Sequence, residues 1–276
     1  MNSAAHSERV WMPFAAQVDN DRVTQSLLTY ALFMAAAFLV FIPAWVMDER
    51  LLDSAAIWTK PQKFNLSFVV HFLTMAVLAQ QIPREDRSST VLLIFTYLAG
   101  IALVFEFVYL NTQAARGVRS HFNNDGVFEQ VMYALMGLGA VLLMTIAVAI
   151  AVQVWRKAEG RRQGLWLGTI IGFIGAFITT VIFGFYMSGE GRYVGAPLTG
   201  GGEVVPFFGW SREYGDLRPA HFVSMHMMQT IPFIGWVADR IGWKPKVVVI
   251  VAAVAQVALA TFLFMQARSG QPFWPA

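Results

Sequence analysis

The chain has 276 residues, 57% of them hydrophobic and 13% charged, with a formal net charge of +3. A water-soluble domain carries roughly 25% charged residues, so this chain has too little charge to clothe an aqueous surface and is read as facing lipid. The absence of cysteine excludes disulfides, thiolate metal sites, iron–sulfur clusters and covalently attached c-type haem, leaving His, Asp, Glu, Met and Tyr as ligands.

Residues 1–25 include Glu8, Arg9, Asp19, Asp21 and Arg22 with no early apolar core, so they read as a cytoplasmic N-terminal segment and not as a signal peptide. Trp11, Met12, Pro13 and Phe14 fit the membrane interface just before the first span. Apolar stretches then follow at 26–47, 65–82, 89–111, 129–155, 164–187, 219–238 and 246–267. At about 1.5 Å per residue most of these clear a hydrocarbon core of roughly 30 Å. The stretches are continuous and do not alternate, which argues for helices over a barrel. The expected fold is an all-α integral membrane protein. It is a seven-transmembrane-helix bundle over 26–267 with a long glycine-rich outer loop, 188–218, between helices five and six, and a C-terminal tail, 268–276.

Basic residues favour the cytoplasmic face, most clearly in short loops. The connections at 83–88, 156–163 and 239–245 carry Arg84, Arg87, Arg156, Lys157, Arg161, Arg162, Arg240 and Lys244. The reading is a bacterial inner-membrane protein, N-terminus cytoplasmic and C-terminus outside, with membrane lipids as its surroundings. Basic residues in such a chain report topology, so no nucleic-acid partner is expected.

Helix five carries Gly164, Gly168, Gly172 and Gly175 on one stripe. Small residues so spaced let helix backbones approach closely in lipid. The stripe serves either packing inside the chain or a homodimer seam. In the 188–218 loop, Gly200, Gly201 and Gly202 are followed by Val204, Val205, Pro206, Phe207, Phe208 and Trp210, which would let the loop fold back over the bundle.

Ionisable residues within spans are costly and mark functional candidates. His71 in helix two, Glu106 in helix three, Glu129 at the start of helix four, and His221, His226 and Gln229 in helix six all fall in the outer half. Outer loops add Lys60, Lys63, Arg116, Arg119, His121, Asn123, Asn124, Asp125, Asp216 and Arg218. The inner halves hold almost nothing comparable. Each residue also has a plainer use. His71 can pack between helices, Glu106 can be a protonated structural acid, Lys60 and Lys63 can snorkel to lipid phosphates, and Asp216 can cap helix six.

His221 and His226 are about 140° apart around a helix, a poor pair for one ion. One histidine from each of two helices is better placed. His71 and His226, with Glu106, could hold a metal ion, or the two histidines could ligate a b-type haem from both sides. Ser67 and His71 form an S-x-x-x-H element similar to one in seven-helix zinc hydrolases of the alkaline ceramidase and progestin-receptor-like superfamily, but helix seven lacks the H-x-x-x-H that superfamily carries there. A lysine in the middle of helix seven, which a retinal protein needs, is also missing, since Lys246 stands only at its start.

Three segments carry a broader resemblance: Trp58-Thr59-Lys60-Pro61-Gln62-Lys63-Phe64, Arg116-Gly117-Val118-Arg119-Ser120-His121-Phe122-Asn123, and Gly215-Asp216-Leu217-Arg218-Pro219-Ala220-His221-Phe222. With these the chain resembles, over most of its length, a group of bacterial multi-pass membrane proteins of unassigned function. The resemblance implies no activity.

The functional expectation is a membrane-embedded enzyme or metal- or haem-binding redox protein acting on a hydrophobic or amphiphilic small molecule. Glu106, His121, Asp216 and His221 are its acid–base candidates. His71, His226 and Glu106 are the metal candidates, and Arg116, Arg119 and Arg218 would hold an anionic head group or a propionate. The alternatives are a proton-coupled transporter or sensor, and a structural or assembly subunit of a membrane complex. Against the transporter, the sequence shows no inverted repeat and no pair of broken helices.

Overall fold

The computed structural model describes residues 21–53, 55–123, 125–158, 163–196 and 202–275. The segment before Asp21, and Asn124, Arg161, Arg162, Gly200 and Gly201, lie outside the described residues. The chain forms α1 (Arg22–Val40), α2 (Ile42–Met47), a hairpin of β1 (Leu51–Leu52) and β2 (Ala55–Ala56), α3 (Thr59–Ala79), α4 (Arg84–Arg87), α5 (Thr90–Arg116), α6 (Val127–Lys157) and α7 (Gln163–Glu190). It continues through β3 (Tyr193–Val194), which pairs antiparallel with β4 (Gly215–Asp216), to α8 (Arg218–Met225), α9 (Met227–Ile241) and α10 (Pro245–Arg268).

Six stretches among the described residues are long and apolar enough to cross a membrane: Arg22–Met47, Thr59–Ala79, Thr90–Arg116, Val127–Lys157, Gln163–Glu190 and Pro245–Arg268. The protein is a helical, multi-pass membrane protein. The expected sixth span, 219–238, is not among the six. It is divided at His226 into α8 and α9, neither of which reaches spanning length alone. The second span begins earlier than expected, at Thr59, because Pro61 falls in the first turn, where a missing N–H costs nothing. Lys60 and Lys63 are therefore part of α3 and do not precede it.

Large apolar side chains line the perimeter: Leu39 is 64% exposed, Ile101 67%, Phe185 64% and Val254 64%. Water would not tolerate this surface, but lipid makes it neutral. The interior is built from smaller groups such as Ala99, Ala102, Ala147 and Ala151 around Phe72, Phe173 and Met75.

The glycine stripe explains how α9 lies against α7. A Cβ at Gly164 would run into the Gly235 carbonyl, one at Gly168 would stand 2.8 Å from the Ile231 carbonyl, and one at Gly172 would stand 2.7 Å from the Met227 carbonyl. At the far end of α7, a Cβ on Gly184 would stand 3.1 Å from the His221 ring. The α8–α9 pair thus runs antiparallel along nearly all of α7. The stripe is occupied inside the chain, so a second copy would need another face. Asp239 closes the contact by accepting from the Gly164 and Leu165 amides, at 2.8 Å each, so a carboxylate sits on the positive end of the α7 dipole.

Both interrupted helices break beside a polar side chain from a neighbour. α1 ends at Phe41, before Pro43, and Gln62 of α3 donates to the Phe38 carbonyl at 2.9 Å. The α8–α9 break at His226 is matched by Gln256 of α10, which donates to the Val223 carbonyl at 2.8 Å. The chain therefore does contain two broken helices, contrary to the sequence reading. The second break sits at His226 and not in the turn below, where Pro232 frees the Met228 carbonyl.

Candidate functional site

At the hairpin end of the bundle, charged side chains fasten the connecting segments together. Asp53, at φ 53° in the β1–β2 turn, accepts Arg119 Nε at 3.1 Å from the segment after α5 and Arg192 Nη2 at 2.7 Å from the segment after α7. Burial opposes ionisation of Asp53, but the hydrogen bonds and charges of the two guanidiniums outweigh it and hold the carboxyl below the usual range. Asp48 accepts from Arg50 at 2.7 Å and from the Trp58 indole at 2.8 Å. Arg50 also reaches the Ala115 carbonyl at 3.0 Å.

The segment after β3 folds back over this end. Lys63 donates to the Phe208 carbonyl at 3.0 Å, and Phe208 stacks on Trp210, which meets Phe222 of α8. This much of the expected 188–218 cover is observed among the described residues.

The charged residues assigned to catalysis or anion binding are largely committed to this framework. Asp216 accepts from the Ser211 amide at 2.9 Å, the Arg218 amide at 3.0 Å and Arg218 Nε at 2.9 Å. It stands one residue before the N-cap Leu217, so it takes the first amide of α8 without being the cap itself. Arg218 further donates to the Gly209 carbonyl at 2.6 Å and the Tyr193 hydroxyl at 3.2 Å. Arg116 is exposed and donates to Gln113 at 2.7 Å. With Arg119 on Asp53, two of the three guanidiniums are held by carboxylates, and the third, Arg116, lies exposed beside Gln113.

The metal trio is not gathered. Among the described residues no three His, Asp or Glu side chains are grouped as a metal ion requires. Gln229 reaches Thr74 at 3.4 Å, so α3 and α9 are neighbours at this level. The imidazoles nevertheless turn elsewhere. His71 Nε2 bonds the Leu143 carbonyl at 3.1 Å and so must carry a proton. His226 Nδ1 bonds the Phe222 carbonyl of its own helix at 2.7 Å, with its ring against Phe222 at 3.9 Å between centroids. His221 faces Gly184, and its Nδ1 is buried without a partner among the described residues.

What remains is a smaller centre around Glu106 and Lys60. Glu106 is 2% exposed, and neither carboxyl oxygen has a hydrogen-bond partner among the described residues. Room for it exists because α6 carries Gly139 opposite, where a Cβ would stand 2.8 Å from Oε1. Lys60 lies within electrostatic range of Glu106 with no ion pair between them among the described residues, and its ammonium is 6.0 Å from the centre of the Phe64 ring. His121 completes the wall, 5.8 Å from both Phe64 and Tyr133 between ring centroids. Burial, and then the Lys60 charge, hold His121 well below the usual imidazole range, so it is neutral at physiological pH. Phe122 packs on Tyr133 at 5.3 Å.

The sequence reading missed Asp48, Asp53 and Arg192, which assemble the cap, and Gln62 and Gln256, which bridge the helix breaks. Only Gln256 carries a signal, as an amide within an apolar stretch, 246–267. The connection 83–88, at the opposite end of the bundle, also holds a buried charge. Arg87 there is buried, 3.2 Å from Asp21 and 2.6 Å from Gln80.

No known protein family, curated protein or solved structure matches the chain.

Proposed function

We propose that this membrane protein receives the polar head of an amphiphilic small molecule at Glu106, beneath the cap, and exchanges a proton with it as a membrane-embedded enzyme. The observation that carries this reading is Glu106 itself. A buried carboxyl with two unpartnered oxygens is costly in a stable interior, and such groups cluster where a ligand or proton supplies the missing partner. Gly139 makes space for it, Phe64, Phe122 and Tyr133 offer apolar contact, and the Lys63–Phe208 bond holds the cover. The metal- or haem-based version loses its support, because His71 and His226 bond separate carbonyls and no group of three ligands forms among the described residues.

In this reading α8 and α9 together make a seventh crossing. Their contacts along the length of α7 support it. An odd number of crossings puts the termini on opposite faces, with the basic short connections on the cytoplasmic side of a bacterial inner membrane. The test is mass spectrometry of amphiphiles retained by the purified protein. Glu106→Gln should lose a species that the wild type keeps, at an unchanged elution volume. Identical retention would defeat the reading.

The alternative of a proton-coupled transporter gains one observation of its own. Helices interrupted at Phe41 and His226, each bridged by a neighbour's glutamine, are the kind of discontinuity on which transporters build binding sites. Uptake driven by a proton gradient in proteoliposomes, lost in Glu106→Gln, would favour it.

A further inference from the structure

At the hairpin end nearly every cation has a fixed partner. Arg50 holds Asp48, Arg119 and Arg192 share Asp53, Arg218 holds Asp216, and Lys63 holds the Phe208 carbonyl. Arg116 is bound to Gln113. Lys60 differs: among the described residues its ammonium has neither an ion pair nor a hydrogen bond. The residue is only partly exposed, and its charge is felt by the buried Glu106 carboxyl.

Lys60 and Glu106 are close enough to feel each other and too far apart to satisfy each other. A lysine and a glutamate whose partners were only each other would close into contact, since separated buried charges gain least and lose most solvation. Standing on α3 and α5, they present one cation and one carboxyl that, when protonated, is a hydrogen donor. A group with two or more acceptor oxygens and a negative charge satisfies both ends. A carboxylate or phosphate does so, and lysine serves such groups as a compact point charge. An alcohol or an ammonium head does not. Phe64, whose ring centre lies 6.0 Å from the Lys60 ammonium and 5.8 Å from that of His121, gives the first methylenes of a tail an apolar wall.

We propose that Lys60 is the counter-charge for an anionic head group, carboxylate or phosphate, on the amphiphile that Glu106 receives. It takes the part that the sequence assigned to Arg116, Arg119 and Arg218. This rests on the Glu106 reading above.

The experiment measures thermal stabilisation of the full chain in a neutral detergent by laurate, dodecyl phosphate, dodecanol, dodecyltrimethylammonium and inorganic phosphate. Laurate or dodecyl phosphate should raise the melting temperature of wild type, and the stronger of the two names the source. Dodecanol and the cation should not. The shift should vanish in Lys60→Met and return in Lys60→Arg, which also shows that charge and not folding is read. Stabilisation by dodecanol equal to that by the anions, or an undiminished shift in Lys60→Met, would overturn the proposal. Inorganic phosphate matching dodecyl phosphate would keep Lys60 as an anion site and overturn the amphiphile reading instead. An anion shift lost in Lys60→Met but untouched in Glu106→Leu, which removes the donor, would do the same.

Discussion

Gln256 donates through Nε2 to the Val223 carbonyl at 2.8 Å while its Oε1 accepts from the Thr230 hydroxyl, so one side chain of α10 spans the break between α8 and α9. Gln62 stands in the same relation to Phe38 at the break between α1 and α2. In lipid a carbonyl released from its helix finds no water, so the amide replaces the lost intrahelical bond.

Gln256→Leu removes both contacts at unchanged bulk. A drop of about 1–2 kcal/mol is expected in detergent-solubilised unfolding, larger than for Thr230→Val, which leaves the Val223 bond in place. Equal effects would show that the carbonyl bond contributes nothing.

Close approach of α7 and α9 depends on glycine. Gly235→Ala should cost about 1–3 kcal/mol, because the new Cβ meets the Gly164 backbone, which cannot move aside as a flexible side chain can. Gly137→Ala is the control: a Cβ there meets nothing within 4 Å. Thermal melts of the two variants should differ plainly.

Arg87 and Asp21 form a buried ion pair at 3.2 Å. Arg87→Met leaves the carboxylate without its cation, and a loss of about 3–5 kcal/mol is expected. The double variant with Asp21→Asn should recover much of this, since asparagine still caps the Thr24 amide, which Asp21 accepts at 2.9 Å. An additive double variant would mean that the pair is not coupled.

Acid should loosen the cap through Asp53. Its carboxyl titrates lower in the folded protein than in the unfolded chain, so its contribution is complete above the unfolded value and fades as pH falls through the depressed folded value. Partial exposure screens the ion pairs, so Asp53→Asn should cost only about 1 kcal/mol near neutrality. On acidification wild type should fall toward the variant. Parallel pH profiles would contradict this account.

Composition alone determined that the chain lives in lipid, because side chains such as Leu39 and Phe262 have no tolerable place in water whatever their neighbours. The spacing of Gly164, Gly168, Gly172 and Gly175 likewise marked a packing stripe, since local helix geometry places those residues on one face. Glu106 was legible too, because an ionised carboxyl inside an apolar stretch is expensive in any fold. What covers the stripe, which arginine meets which acid, and where His71 and His226 turn were decided only by the tertiary structure. Depth along a helix follows from sequence, but the direction of a side chain around it has meaning only once the neighbours stand in place. Asp53 joins Arg119 and Arg192 across three separate connections. That pairing made the anticipated arginine site part of the framework and left Lys60 as the cation beside the buried acid.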